Sequence, residues 1–156
     1  MLTPLNLPQA QLKLTKKEDR IFVFCEIRRK KLVLTPEEWV RQHFLHYLMH
    51  HQKISKNKLV SEMPLNYNGM TKRSDIVLLN DEHKPKMIVE CKAPEVKLSA
   101  STFHQIAQYN RTLAVDILIM TNGKEHWLMQ LKESQLTVHK DLNKLKDWLN
   151  STRFQV

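Results

Sequence analysis

Hydrophobic residues recur along this 156-residue chain with two different periods. IFVFCEI (21–27) is a short apolar run and predicts a strand. TPEEWVRQHFLHYLMHH (35–51) predicts a helix, with Val40, Phe44, Tyr47 and Leu48 at helical spacing towards a core. Thr35 suits the N-cap, Pro36 the first helical position, and Glu37 and Glu38 the positive end of the dipole. KLVSEMPLNYNGM (58–70) is a weaker strand signal ending at Gly69. RSDIVLLN (73–80) and KMIVECKA (86–93) are strong strand runs, joined by a polar turn over Asn80–Pro85. SASTFHQIAQYNRTL (99–113) predicts a helix, with Phe103, Ile106, Ala107 and Leu113 in phase. DILIMTNG (116–123) and HWLMQL (126–131) predict strands. DLNKLKDWL (141–149) predicts an amphipathic helix with Leu142, Leu145, Trp148 and Leu149 on one side.

That order predicts an α/β (α+β) fold, a mixed β-sheet flanked by α-helices. The length suits one domain, 1–156, with an N-terminal arm (1–20), a core (21–131) and a C-terminal helical extension (132–156).

Composition narrows the function. Lys and Arg number 25 against 16 Asp and Glu, a formal charge of +9. Such a surplus suits an anionic partner (nucleic acid, phospholipid or an acidic protein), although solubility alone also explains it. Cys25 and Cys91 sit in apolar surroundings and read as reduced core residues. With no membrane-length apolar run and no signal-peptide pattern, the expectation is a soluble cytoplasmic protein without a membrane partner. The two glycines, Gly69 and Gly123, cannot write a phosphate-binding loop or a dinucleotide fingerprint, so no nucleotide cofactor is expected.

The chemistry gathers on the two strong strands. Pairing 73–80 with 86–93 as an antiparallel hairpin, with the turn centred between Glu82 and His83, sets Asp75 directly opposite Glu90. Lys92 and Arg73 then share their face, while Met87, Val89 and Cys91 point the other way. The expectation is one apolar face and one ionic corner. Two opposed carboxylates repel, and a divalent cation relieves them. Magnesium is suited, because it takes few protein ligands. The competing reading is a structural salt bridge of Asp75 or Glu90 with Lys92 or Arg73.

Other features have plainer readings. His43, His46, His50 and His51 invite a metal, but no neighbouring Cys or acid completes a set, and a polar helix face accounts for them. Trp39, Trp127 and Trp148 read as core or interface. The basic runs Arg28–Lys31, Lys53–Lys58 and Lys72–Arg73 are solvated charge or phosphate contacts.

S-D-I-V (74–77), E-C-K (90–92) and Q-I-A-Q-Y (105–109) resemble the PD-(D/E)XK nuclease superfamily. They are most similar to the N-terminal nuclease-like domain of type I restriction enzyme R subunits and its stand-alone relatives. The likeness runs from about Ile21 to Trp127 and includes L-T-P-E-E-W-V-R-Q (34–42) and T-N-G (121–123). It implies a restriction-endonuclease-like core that hydrolyses DNA with Mg²⁺, or Mn²⁺ as a substitute. It makes Asp75 and Glu90 metal ligands and Lys92 the catalytic lysine. Gln105, with Tyr109 one turn on, would position the lysine or the DNA backbone. The helix acid, a further metal ligand, would be Glu37, with Glu38 the other candidate. Arg41, four residues from Glu37 on one helix face, and Arg73 would position substrate. Ser74 stands where the family has Pro. A homodimer or a separate partner subunit, which could gate the activity, is also implied. The alternatives are a non-catalytic nucleic-acid-binding module on the same fold and a scaffold domain with merely salt-bridged carboxylates.

Overall fold

The computed structural model describes residues 2–67 and 69–151, without the side chains of Tyr67 and of residues 109–113. Strands β1 (Leu14–Lys17), β2 (Arg20–Cys25) and β3 (Lys30–Val33) form a three-stranded antiparallel sheet. Helix α1 (Pro36–His46) follows and runs into a π-helical turn, Tyr47–His51. Then come β4 (Leu59–Tyr67), β5 (Met70–Leu79), β6 (Pro85–Cys91), α2 (Ala100–Leu113), β7 (Ile117–Thr121), β8 (His126–Lys132), β9 (Gln135–His139) and α3 (Lys144–Ser151). Strands β4 to β9 make a six-stranded sheet in chain order. All neighbours are antiparallel except β6 and β7, which are parallel and joined through α2 as a parallel pair requires.

Local chemistry explains the boundaries. Thr35 Oγ1 accepts from Glu38 N at 3.0 Å, closing the first turn of α1 ahead of Pro36. Asn80 Oδ1 accepts from Glu82 N and Lys84 N and folds the β5–β6 turn on its own side chain.

The large sheet is covered on both faces. One face carries Ile76, Leu78, Met87, Val89, Ile117 and Ile119, packed with Val40, Phe44 and Leu48 of α1 and the π turn, with Cys25 of β2, and with Leu145 and Trp148 of α3. The other carries Val77, Ile88, Leu118, Met120 and Met129 against Phe103 and Ile106 of α2. Each large side chain so buried contributes ~1.5–3 kcal/mol. The mixed α/β expectation therefore holds. The picture of a single apolar face needs correction: Ile88 and Val77 are fully buried on the same side as Glu90, so both faces are core and the charges are set among apolar neighbours.

Two further expectations change. Within the supposed arm, β1 pairs with β2, and residues just before it are fastened down. Trp39 Nε1 donates to Thr3 O at 2.9 Å and Asn6 N to Gly123 O at 2.8 Å, while Leu5 and Leu7 pack on the core. Gly123 permits this approach: its φ is +84°, and a Cβ there would sit 2.7 Å from Leu5 Cδ2. In the supposed helical extension, residues 135–139 form β9, because QLTVH alternates on a sheet edge and only the segment from Lys144 has a helical apolar stripe. No helix among the described residues is long and apolar enough to cross a membrane.

Candidate active site

The β5–β6 ladder pairs Leu78 with Met87, Val77 with Ile88 and Ile76 with Val89. The ladder ends there; continued one step, its register runs from Asp75 to Glu90. The β4–β5 ladder pairs Ser61 with Ile76 and Met63 with Ser74, which brackets Glu62 opposite the same Asp75. Glu62, Asp75 and Glu90 thus form a row of carboxylates across three adjacent strands. The ladder is interrupted at this row. Glu62 adopts a left-handed backbone, φ +57°, and Asp75 Oδ2 accepts from Cys91 N at 2.7 Å.

Helix α1 delivers the counter-charge. Arg41 is buried, with Nη2 2.6 Å from Asp75 Oδ1 and Nη1 2.5 Å from Glu38 Oε2. Glu62 and Glu37 lie further off, at 3.4 and 3.5 Å. Burial opposes the Arg41 charge, but Asp75 and Glu38 together outweigh it and raise its pKa. Arg28 closes the outer end of the network on Glu62 at 2.6 Å.

The two helix acids have different jobs. Glu38 is buried and spent on Arg41 and on Gln42, whose Nε2 donates to Glu38 Oε1 at 2.8 Å. Glu37 is half-exposed. Burial and the charge of Asp75 raise its pKa, while Arg41 and Lys92 pull it down. Glu37 therefore feels the carboxylate row and Lys92 directly.

On the α2 side Glu90 is buried beside Asp75. Burial, and then the neighbouring Asp75, push its pKa up to about 7, with Lys72 and Lys92 acting against them. Its Oε1 has no hydrogen-bond partner. Lys92 lies just beyond the end of β6, held by its own N–H on Thr121 O at 2.8 Å, and its side chain makes no ion pair among the described residues. The T-N-G turn braces this strand end. Asn122 Nδ2 donates to Val96 O, and its Oδ1 accepts from Lys124 N and Glu125 N. Thr121 Oγ1 accepts from Gly123 N and lies 2.8 Å from His126 Nδ1. His126 Nε2 lies 2.9 Å from Asn6 O. With that carbonyl accepting from Nε2, Nδ1 is free to accept the threonine proton.

Other expected residues stand apart. Arg73 is exposed on β5 opposite Pro64. Gln105 is exposed on α2 and makes no hydrogen bond to Asp75, Glu90 or Lys92. The side chain of Tyr109 lies outside the described residues. Arg41 holds carboxylates inside the fold and is buried away from solvent. The buried Cys91 thiol is raised far above its ordinary pKa by burial and by Asp75, so it supplies no nucleophile. The four histidines of α1 and its π turn form no metal-binding group: His43 Nδ1 bonds Trp39 O, and the rings of His46 and His50 lie 4.2 Å apart.

Glu62 was invisible to sequence reasoning, since its strand is weakly patterned. The available signal was an acid between the small Ser61 and the apolar Met63, in a segment reaching the same sheet row as Asp75.

The donor set fits a small hard cation held by two carboxylates. Glu90 Oε1 is a buried oxygen without a partner, beside a second carboxylate, and an ionised carboxylate oxygen can accept more than one contact. Among the described residues no three His, Cys, Asp or Glu side chains are already gathered as ligands.

A mixed sheet with carboxylates on adjacent strands defines a class of α/β site, and comparison with known proteins defines the family. Residues 36–145 match the family described as type I restriction enzyme R protein N terminus (HSDR_N), and the chain belongs to that family. No curated protein matches it. Among solved structures, a fragment assigned to the HsdR subunit of a type I restriction enzyme from Vibrio vulnificus YJ016 is similar over 52% of this chain, with 17% identity and a TM-score of 0.40. The matched part is 18% of that chain, so this protein spans less than a fifth of it.

Proposed function

We propose that the chain is a Mg²⁺-dependent DNA endonuclease domain of the PD-(D/E)XK type on a restriction-endonuclease-like core, with Mn²⁺ as a substitute metal. The observation that carries this reading is the buried, unpartnered Glu90 oxygen beside Asp75, with Lys92 two residues on and close enough to act on its charge. Asp75 and Glu90 would hold the cation, and Glu37 is the helix acid best coupled to them. A bound Mg²⁺ supplies Lewis acidity towards a phosphoryl oxygen. Lys92 stabilises the negative charge that builds on the phosphoryl oxygens. Arg41 and Cys91 N keep the Asp75 carboxylate in one orientation. Gln105 and Arg73, both exposed, would contact the substrate backbone. A restriction–modification role in the cytoplasm, with a partner subunit or a second copy, belongs to the same proposal and rests on the family.

The test is cleavage. Purified protein nicks or cuts plasmid DNA with Mg²⁺ or Mn²⁺, and Lys92→Ala and Asp75→Ala each lower the rate at least ~10²-fold. Calorimetry records Mn²⁺ binding that Glu90→Gln weakens. Equal cleavage by wild type and both variants removes the reading, since the activity is then a contaminant.

A second reading, a non-catalytic nucleic-acid-binding module, is favoured by one observation. Both Asp75 oxygens are already engaged, by Arg41 and by Cys91 N. It predicts salt-steep DNA binding with no metal-dependent cleavage.

A further inference from the structure

The β2–β3 turn and the start of β3 carry Arg28, Arg29, Lys30 and Lys31 in succession. Three ties fix it. Ile27 packs on the core, Arg28 N donates to the buried Cys25 Sγ at 3.5 Å, and the Arg28 guanidinium reaches Glu62 at 2.6 Å. Glu62 is the outer member of the carboxylate row and touches Arg41, which holds Asp75. A continuous chain of ion pairs therefore runs from the turn to the proposed catalytic carboxylates.

What the turn presents is unspent. Arg29, Lys30 and Lys31 are all exposed, and none makes an ion pair among the described residues. Lys58 and Lys84, at the other end of β4 and β5, are drawn to Asp81 and Glu82. Arg29 also occupies a left-handed backbone position, φ +54°, where glycine would be ordinary. Merely solvated charge requires neither a packed anchor nor an ion-pair tether. Three exposed cations in a segment tethered through Arg28 to a carboxylate row suit a polyanion whose phosphates repeat at fixed spacing and whose own charge would otherwise be repelled by that row.

We infer that the β2–β3 turn with the start of β3, through Arg29, Lys30 and Lys31, is the rail that grips the nucleic-acid backbone next to the carboxylate row. This rests on the nuclease reading for the identity of the polymer but needs no catalysis. Phosphate contacts of this kind position the strand and carry no sequence preference.

The experiment is metal-free duplex DNA binding by the full chain in EDTA, followed by fluorescence anisotropy across a salt series. An Arg29→Ser/Lys30→Ser/Lys31→Ser variant is compared with a charge-matched Lys132→Ser/Lys144→Ser/Lys146→Ser variant, whose exposed lysines lie elsewhere. The turn variant is expected to bind at least ~10-fold more weakly at about 0.1 M salt and to flatten the log K against log salt slope by roughly 2–3, as three lost phosphate contacts require. The control variant keeps the wild-type slope. If the turn variant does not fold, Lys31→Ser alone should flatten the slope by about 1. Equal weakening by both triples, or no DNA binding by the wild type, overturns the inference. So does binding to phosphatidylserine vesicles that depends on the turn while DNA binding does not. Cleavage lost with binding and its turn dependence intact overturns only the catalytic reading; cleavage intact with no turn dependence overturns only this one.

Discussion

The row Glu62–Asp75–Glu90 is finished on one flank and unfinished on the other. Towards α1, Glu38, Asp75 and Glu62 all find Arg41, and Glu62 also finds Arg28. Towards α2, Glu90 is just as buried yet has an oxygen with no partner and a pKa pushed up to about 7. Buried ions are expensive, so folds normally pair them. The contrast separates scaffold from chemistry: the α1 flank fixes where Asp75 sits, and the α2 flank holds unspent electrostatic free energy that only a ligand or a proton can release.

The largest expected effect breaks the finished flank. Arg41→Ala leaves Glu38 and Asp75 buried without a counter-charge and should destabilise the fold by ~3–5 kcal/mol. Denaturant unfolding checks it, with Arg41→Lys recovering part of the loss. A change no larger than that of an exposed-lysine variant would show that the network is decorative.

The next effect sharpens the unfinished flank. Glu90 is raised by burial from 4.5 to about 7. Its protonated form is favoured in the fold, so its contribution to stability is fully present below about pH 4.5 and lost as pH rises through about 7. Glu90→Gln removes that dependence. In EDTA the variant should gain up to ~3 kcal/mol over wild type at pH 8, and the gap should close near pH 4. Thermal melts at the two pH values decide it, and a gap that does not change with pH contradicts the burial argument. Added Mg²⁺ should stabilise wild type and not the variant.

The smallest effect tests whether α1 holds its place through its cap as well as through Arg41. Thr35→Ala removes the acceptor for Glu38 N and should cost ~1 kcal/mol. If that substitution weakens Mn²⁺ binding as strongly as Glu90→Gln does, the two flanks are not separable.

Much of this was legible in the chain. The hairpin register that opposes Asp75 and Glu90 follows from the turn at Asn80–Pro85 and holds over three consecutive pairs. The cap and core face of α1 follow from Thr35, Pro36 and helical spacing. Three things were not legible. Glu62 joins the row through a strand whose pattern is weak and whose backbone turns left-handed at that residue. Arg41 shares a helix face with Glu37, as spacing implied, but its strongest contacts are with Glu38 and with an aspartate 34 positions away. Gln105 has helical spacing on α2 that says nothing about whether it reaches the row, and it is exposed on that helix.

The amino-acid sequence by itself determined the elements, their apolar faces and the pairing of β5 with β6, because periodicity, capping and turn chemistry act over a few residues. Only the tertiary structure decided which buried charges are paired. That choice depends on which helix is laid over which sheet face, and there the cost of desolvating an ion sends Arg41 to Asp75 and leaves Glu90 Oε1 without a hydrogen-bond partner.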